Sequence, residues 1–212
     1  MHEILELVAG YRTFLRDEWP QQAARYRSLA ELGQTPRTMI VGCCDSRVDP
    51  SRIFGAGPGQ LFVVRNVANL VPPCEAHGHR HGTSAALEFA VTGLQVENIV
   101  VLGHARCGGV EAFIDRFLSH SDSTGFISEW MSMLRPAWAE VLASDRWKGP
   151  IELRQALEHA SIRHSIENLK TFPFIQERLD AGDLKLHGAY FDIATGQLLS
   201  LDRGTRAFQP VA

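Results

Sequence analysis

Residues 98–109, which read NIVVLGHARCGG, indicate both the fold and the chemistry of this chain. The first six residues are mostly apolar and end at a glycine, a pattern typical of a strand buried on both faces of a parallel sheet. His104 and Cys107 follow directly after this strand. Ligands of open parallel sheets bind beyond the carboxyl ends of the strands, so the stretch predicts two candidate metal ligands at that edge.

A second stretch of similar design lies at residues 38–47, TMIVGCCDSR. Its short apolar strand runs into two cysteines, an aspartate and an arginine. Two thiolates and one imidazole suit tetrahedral zinc and leave a fourth position for another ligand. Pattern and spacing alone therefore predict a zinc site, with one Zn²⁺ per chain, in an α/β domain.

The two adjacent cysteines are distinguished by the alternation of side chains along an extended backbone. If the chain stays extended past Gly42, then Cys43, Asp45 and Arg47 point to one side and Cys44 points to the other. A carboxylate and a guanidinium are not expected in a core, so the side that they share is the site. We therefore expect Cys43 to be the ligand and Cys44 to be a small buried apolar residue.

Helix and strand patterns alternate on either side of these stretches. Residues 3–32 are predicted to be helical, with Pro20 either ending that helix or opening a second one. Further helices are predicted at about 83–95, 108–119, 127–143 and 151–170. A strand is expected at 61–64, and the tail predicts a hairpin that turns at Thr195 and Gly196.

The predicted fold is therefore α/β, with a mostly parallel sheet flanked by helices. The C-terminal hairpin is expected to add an antiparallel edge, and the N-terminus a helical arm. No linker-like stretch separates two units, so residues 1–212 are predicted to form a single domain.

The charge and composition of the chain argue against nucleic acid and membranes as binding partners. The formal net charge of −3 does not favour nucleic acid or an acidic membrane. No apolar run approaches the ~20 residues that a membrane helix needs, and the first residues do not resemble a secretory signal. Four cysteines in 212 residues are too few for a disulfide framework and indicate metal chemistry in a reducing compartment. A cytoplasmic location is therefore expected.

The motif Cys43-x-Asp45-Ser46-Arg47, together with Gly103-His104-x-x-Cys107-Gly108-Gly109, resembles the paired signature of the β-carbonic anhydrases. The resemblance covers roughly residues 25–202 and includes FVVRNVANLVPP at 62–73, HGTSAALEFAV at 81–91 and HGAYFDIATGQL at 187–198. It implies reversible hydration of carbon dioxide to bicarbonate and a proton. It also implies a homodimer or a dimer of dimers, joined through the helical arm at residues 1–33.

The resemblance assigns roles to individual side chains. Cys43, His104 and Cys107 are expected to hold the zinc, and Asp45 and Arg47 to form a catalytic dyad. Asp45 is a possible fourth ligand in a closed form of the site. Alignment with the plant-like branch gives four pocket residues, some of them supplied by the neighbouring subunit: Gln34, Phe62, Val67 and Phe89.

A second branch of the family carries an inhibitory bicarbonate site built from a Trp, an Arg and a Tyr. Arg65 is present here, but Ile40 and Phe191 occupy the other two positions. This allosteric site is therefore predicted to be absent.

Several alternatives remain at this point. Hydrolases of carbonyl sulfide or carbon disulfide resemble the same family and keep the same metal ligands. A non-catalytic zinc protein is a further class, although it would need neither the strand-end location nor the Asp45–Arg47 pair. A nucleotide-binding module is not favoured, because no glycine-rich phosphate motif follows a strand. The tract His77-Gly-His79-Arg80-His81 is interpreted as a solvated loop, with a proton shuttle or the binding of a stray metal as its alternatives.

Overall fold

The computed structural model describes residues 2–75, 82–119, 124–144 and 147–211. Six strands lie within these ranges: β1 (Thr38–Cys43), β2 (Leu61–Asn66), β3 (Asn98–His104), β4 (Lys185–Phe191), β5 (Leu198–Leu201) and β6 (Phe208–Pro210). They form one sheet in the order β2-β1-β3-β4-β5-β6. The first four strands pair in parallel, and β5 and β6 add an antiparallel edge. The predicted fold class is confirmed.

Helices cover the connections and the N-terminal region. The α-helices of the described residues are α1 (His2–Thr13), α2 (Trp19–Leu32), α3 (Pro50–Ile53), α4 (Gly82–Glu88), α5 (Gly108–Ser119), α6 (Phe126–Met131), α7 (Arg135–Ser144), α8 (Pro150–Leu169) and α9 (Pro173–Asp180). Short π-helical turns follow α1 at Phe14–Glu18 and α4 at Phe89–Gly93, and 3₁₀ turns occupy Val67–Asn69 and Ser132–Leu134. Among the described residues, no helix has the length and apolar character needed to cross a membrane.

Helix α8 packs closely against the middle of the sheet. A Cβ atom at Gly103 of β3 would lie 2.6 Å from Ile162 Cδ1, and one at Gly188 of β4 would lie 3.0 Å from Ile162 Cγ2. Ile162 itself is fully buried. Glycine on both strands therefore lets α8 approach the carboxyl end of the sheet more closely than other residues would allow.

The N-terminal helices form an arm with little apolar burial against the rest of the chain. No residue of Phe14–Leu32 is buried. The arm contacts the body where Arg25 Nε donates to the carbonyl of Pro58 at 2.6 Å and where Leu29 lies over Gly59. Large apolar side chains along it are exposed: Ile4, Leu5, Leu7, Val8, Tyr11, Leu15 and Leu32. Pro20 lies in the first turn of α2, so it opens a second helix.

Some elements differ from the sequence predictions. The helix expected at 127–143 is interrupted at Ser132–Leu134, because Pro136 lies in the first turn of α7 and lacks the N–H that a continuous helix needs. Helix α9 was not predicted, since its eight residues bury only Ile175 and show no sustained apolar stripe. Strand β6 was missed because three residues ending in proline show no alternation. The tract His77–His81 lies outside the described residues.

Candidate metal centre and active site

Three potential metal ligands meet at the carboxyl edge of the sheet. Cys43 is the last residue of β1, and His104 is the last residue of the neighbouring parallel strand β3. Cys107 follows three residues later, immediately before α5. Their ligand atoms all lie within 4.8 Å of one another, and all three residues are buried. The sequence motifs on two separate strands thus converge on one cluster.

The imidazole of His104 is oriented by its neighbour in sequence. Nδ1 lies 2.9 Å from the carbonyl oxygen of Ala105, an acceptor, so the ring proton belongs on Nδ1. Nε2 is shielded from solvent and has no hydrogen-bond partner among the described residues. A buried ring nitrogen with a free lone pair, facing two thiols, has the arrangement that a metal ligand requires.

The thiols of Cys43 and Cys107 lie close enough to shift each other's pKa in opposite directions. A hydrogen bond from the Cys107 thiol lowers the pKa of Cys43 to about 4, although burial acts in the opposite direction. The same contact with Cys43, together with burial, raises the pKa of Cys107. The backbone N–H groups of Gly109 and Val110 donate toward the sulfur of Cys107 and act to lower its pKa. Because two adjacent thiolates repel each other, a cation bound between them would favour the ionised form of both.

These features fit a zinc ion better than other common metals. Two thiolates and an imidazole are soft and borderline donors, and Zn²⁺ prefers such ligands to the carboxylates and carbonyls that suit Mg²⁺ or Ca²⁺. Three protein ligands are also the number found in catalytic zinc sites, which leave one position for water or substrate.

Asp45 and Arg47 lie beside this cluster and form a bidentate ion pair. Arg47 Nε donates to Asp45 Oδ1 at 2.9 Å, and Nη2 donates to Oδ2 at 2.6 Å. The backbone N–H of Arg47 also donates to Oδ1, at 2.9 Å. Oδ2 lies 3.9 Å from Nε2 of His104. The hydrogen bonds from Arg47 hold the pKa of Asp45 well below its usual range, so this carboxyl is ionised at neutral pH.

The backbone that carries these groups is braced by Arg65 of β2. Its Nε donates to the carbonyl of Cys43 at 2.8 Å, and its Nη2 donates to the carbonyl of Asp45 at 2.7 Å. Arg65 therefore fixes the turn after β1 from the neighbouring strand. The predicted absence of the inhibitory bicarbonate site, which depends on Ile40 and Phe191, stays a prediction.

The expectation for Cys44 is wrong, because this side chain is exposed. Its N–H still bonds the carbonyl of Asn66 at 2.9 Å, but β1 has ended at Cys43. Past the edge of the sheet, no part of the described chain covers the side opposite the cluster, so alternation no longer implies burial there.

The expected pocket residues fall into two groups. Val67 follows β2 directly, and its Cγ1 would lie 2.9 Å from a Cβ atom at Gly109, which places it beside the cluster. Phe62 pairs with Met39, four residues before the Cys43–Asn66 pair, or about 13 Å along the strand. Phe89 lies with Phe62, their ring centroids 5.8 Å apart. Gln34 is exposed in the connection before β1.

Three residues near the cluster were not predicted from the sequence. Glu158 of α8 accepts from the backbone N–H of Cys107 at 3.0 Å and from the hydroxyl of Tyr190 at 2.7 Å. Trp130 Nε1 donates to the carbonyl of Val67 at 2.8 Å and so fixes the backbone at this residue. For Glu158 a signal existed: a lone acidic residue follows Leu157 on the buried stripe of α8. Nothing in sequence alone distinguishes the other two from ordinary core residues.

Comparison with known proteins agrees with this geometry. The sequence model of the carbonic anhydrase family matches residues 38–198. Two curated relatives come from Arabidopsis thaliana. "Beta carbonic anhydrase 5, chloroplastic" is 40% identical over 86% of this chain and 59% of its own length. "Beta carbonic anhydrase 6, mitochondrial" is 37% identical over 96% of this chain and 70% of its own length.

Solved structures show the same fold over the whole chain. The β-carbonic anhydrase CcaA is 30% identical, with a TM-score of 0.91, and the match covers 99% of this chain and 100% of that one. A β-carbonic anhydrase from Sordaria macrospora, described as tetrameric, is 27% identical with a TM-score of 0.83, and the match covers 100% of both chains.

The fold and the site define an α/β protein with a candidate thiolate–imidazole metal centre at the strand ends. The chain belongs to the carbonic anhydrase family, in its β class. The expected cytoplasmic location is wrong as an inference, because the curated relatives are named as chloroplastic and mitochondrial. The low cysteine content that suggested a reducing compartment does not identify which compartment that is.

Proposed function

We propose that this chain is a zinc enzyme that catalyses the reversible hydration of carbon dioxide to bicarbonate and a proton. The observation that carries the proposal is the convergence of Cys43, His104 and Cys107 beside the Asp45–Arg47 pair. A structural zinc site usually has four protein ligands, whereas this cluster brings together three among the described residues, and Arg47 holds the ionised Asp45 beside them. Cys43, His104 and Cys107 would hold the zinc, which would supply Lewis-acid activation of a water molecule.

The protein side chains then position the reactants. Asp45 is ionised and offers a hydrogen-bond acceptor next to the metal ligands, which orients the attacking water. Arg47 occupies both carboxylate oxygens and so keeps Asp45 from taking the fourth position on the metal. Val67 provides an apolar surface beside the site for a small apolar substrate. The backbone N–H groups at the start of α5 stabilise the thiolate of Cys107.

We further propose that the complete site needs a second copy of the chain. Phe62 lies about 13 Å along β2 from Asn66, the residue that pairs with Cys43, and the ring of Phe89 packs against Phe62 rather than beside the metal ligands of its own chain. Phe89 is 52% exposed, although it is large and apolar. The arm at residues 1–33 carries further exposed apolar side chains. A homodimer, alone or within a dimer of dimers, buries these surfaces and brings the partner subunit's aromatic residues and Gln34 to the pocket.

The activity is tested by stopped-flow hydration of carbon dioxide, with zinc content measured on the same sample. We expect rapid hydration at about one zinc per chain, and loss of both zinc and activity in Cys43→Ser. The matched control is Cys74→Ser, since Cys74 is an exposed cysteine outside both motifs. A zinc-loaded protein that hydrates no carbon dioxide at any pH would refute the enzymatic proposal.

The hydrolysis of carbon disulfide or carbonyl sulfide is the alternative activity on this scaffold. The same purified protein should therefore be assayed with carbon disulfide. We expect kcat/KM for carbon dioxide to exceed that for carbon disulfide by several orders of magnitude, and the reverse ratio would assign the chain to the hydrolases.

A further inference from the structure

Glu158 is a buried carboxyl group that the reaction scheme does not use. It is 3% exposed, and both of its oxygens accept hydrogen bonds. Oε1 accepts from the backbone N–H of Cys107 at 3.0 Å, and Oε2 accepts from the hydroxyl of Tyr190 at 2.7 Å. Burying a carboxylate is costly unless its oxygens are paired in this way, so its partners are informative.

The hydrogen bond from the Cys107 N–H to Glu158 caps the N-terminus of α5. The carbonyl of Cys107 accepts from the N–H of Glu111 at 3.0 Å, so Cys107 is the N-cap residue of this helix. In a capping box, a Glu or Gln at the third helical position accepts from the N-cap N–H. Val110 occupies that position here, and Glu158 of α8 takes the role instead. The backbone of a metal ligand is therefore held by a carboxylate 51 residues further along the chain.

The bond from Tyr190 connects the same carboxylate to the sheet. Tyr190 is 1% exposed and pairs in β4 with Gly103 of β3, the residue before His104. The ring of His159 packs edge-on against that of Tyr190, with centroids 4.4 Å apart. The close approach of Ile162 to Gly103 and Gly188 brings this part of α8 to the sheet. Glu158 thus joins the strand beside His104 to the helix that begins at Cys107.

We propose that Glu158 is a positioning residue of the metal centre. By accepting from the Cys107 N–H while bound to Tyr190, it fixes the direction in which the Cys107 sulfur faces Cys43 and His104. It also places a carboxyl group next to the backbone of a thiolate ligand. This inference rests on the zinc binding proposed above and assigns Glu158 no contact with substrate.

The test compares metal binding in three variants of the full chain. Zinc affinity is measured by competition with a chromophoric chelator, and the geometry of the site by the absorption spectrum of the Co²⁺-substituted protein. Glu158→Gln should weaken zinc affinity about 10- to 100-fold, the usual range for residues that orient metal ligands, and should alter the cobalt bands. Tyr190→Phe should act in the same direction by about fivefold, as for one hydrogen bond.

The matched control is Glu140→Gln. Glu140 of α7 also accepts bonds from α8, from Arg163 at 2.6 Å and from His164 at 3.1 Å, but none from Cys107 or Tyr190. This variant should keep the affinity and the spectrum of the original chain.

A Glu158→Gln protein with unchanged zinc affinity and cobalt spectrum overturns the inference, even if its thermal stability falls. If that variant does not fold, unchanged affinity and spectrum in Tyr190→Phe overturn it equally. Failure of the original chain to bind zinc refutes the proposed function instead, so the two failures are distinguishable.

Discussion

Arg47 binds both carboxylate oxygens of Asp45 and at the same time donates from Nη2 to the carbonyl of Arg106 at 3.1 Å. The ion pair therefore connects the turn after β1 to the turn after β3, the two segments that carry the metal ligands. It also fixes the position of a carboxylate that lies 3.9 Å from His104 and is itself a potential zinc ligand. In the proposed mechanism, Arg47 therefore keeps Asp45 available to the reaction rather than to the metal.

Replacing Arg47 by alanine should abolish turnover while leaving zinc bound. Asp45 then loses the partner that keeps it away from the fourth position, and kcat/KM should fall by about 10²- to 10⁴-fold. Zinc content should stay near that of the original chain, because Arg47 contributes no ligand. Stability should change little, since the Arg47 side chain is 51% exposed and its ion pair is screened by solvent.

Arg52→Ala is the control for this experiment, because Arg52 is an exposed arginine on the adjacent helix α3. It should leave both zinc content and hydration unchanged. Full hydration activity in Arg47→Ala would remove Arg47 from the mechanism.

The extent to which the site could be predicted depends on where each group lies relative to the strands. Cys43, His104 and Cys107 could be found because apolar strand patterns end at them, and parallel strands deliver their ends to a common edge. Cys44 was wrongly assigned to the interior because alternation applies only while a strand is covered on both faces. Glu158 and Trp130 reach the site from distant helices, and such contacts depend on helix packing that a local pattern does not contain.

The two glycines at the start of α5 should respond differently to substitution. A Cβ atom at Gly109 would lie 2.9 Å from Val67 Cγ1 and 3.2 Å from Ala68 Cβ, whereas one at Gly108 would meet nothing within 4 Å. Gly109→Ala should therefore destabilise the protein by about 1–3 kcal/mol, as overpacking does, and displace the Val67 side chain. Gly108→Ala should be neutral or stabilising by up to about 1 kcal/mol. Urea unfolding of both variants checks this, and equal effects would show that Gly109 is not tightly packed.

The helical arm should be necessary for assembly. Leu7 is 70% exposed on α1, and an aspartate there would place a charge within the proposed subunit interface. We expect Leu7→Asp to shift the protein to monomers in sedimentation velocity and to reduce hydration activity. The control is Ile151→Asp, since Ile151 is 75% exposed at the start of α8, outside the arm. An unchanged oligomer in Leu7→Asp would exclude this face of the arm from the interface.

His159 should make stability depend on pH in the mildly acidic range. Burial, with a contribution from Arg163, lowers the pKa of His159 to about 4. Its ring stacks on Phe208 with centroids 4.2 Å apart, and Nε2 has no hydrogen-bond partner among the described residues. In the unfolded chain the pKa of His159 is near 6.5, so its imidazole binds a proton below that pH. In the folded chain the same imidazole binds a proton only below about pH 4. Folding is therefore progressively disfavoured between these two values and unaffected above pH 7.

Phenylalanine at position 159 should remove this dependence while keeping the stacking on Phe208. At pH 5 the lowered pKa corresponds to a loss of about 2 kcal/mol relative to pH 8, calculated from 1.36 kcal/mol per pKa unit. The free energy of unfolding in urea should therefore fall less between pH 8 and pH 5 in His159→Phe than in the original chain, by about that amount. Taking the difference between the two proteins cancels the protonation of all other groups. Parallel pH profiles would mean that His159 takes up its proton equally in the folded and unfolded states.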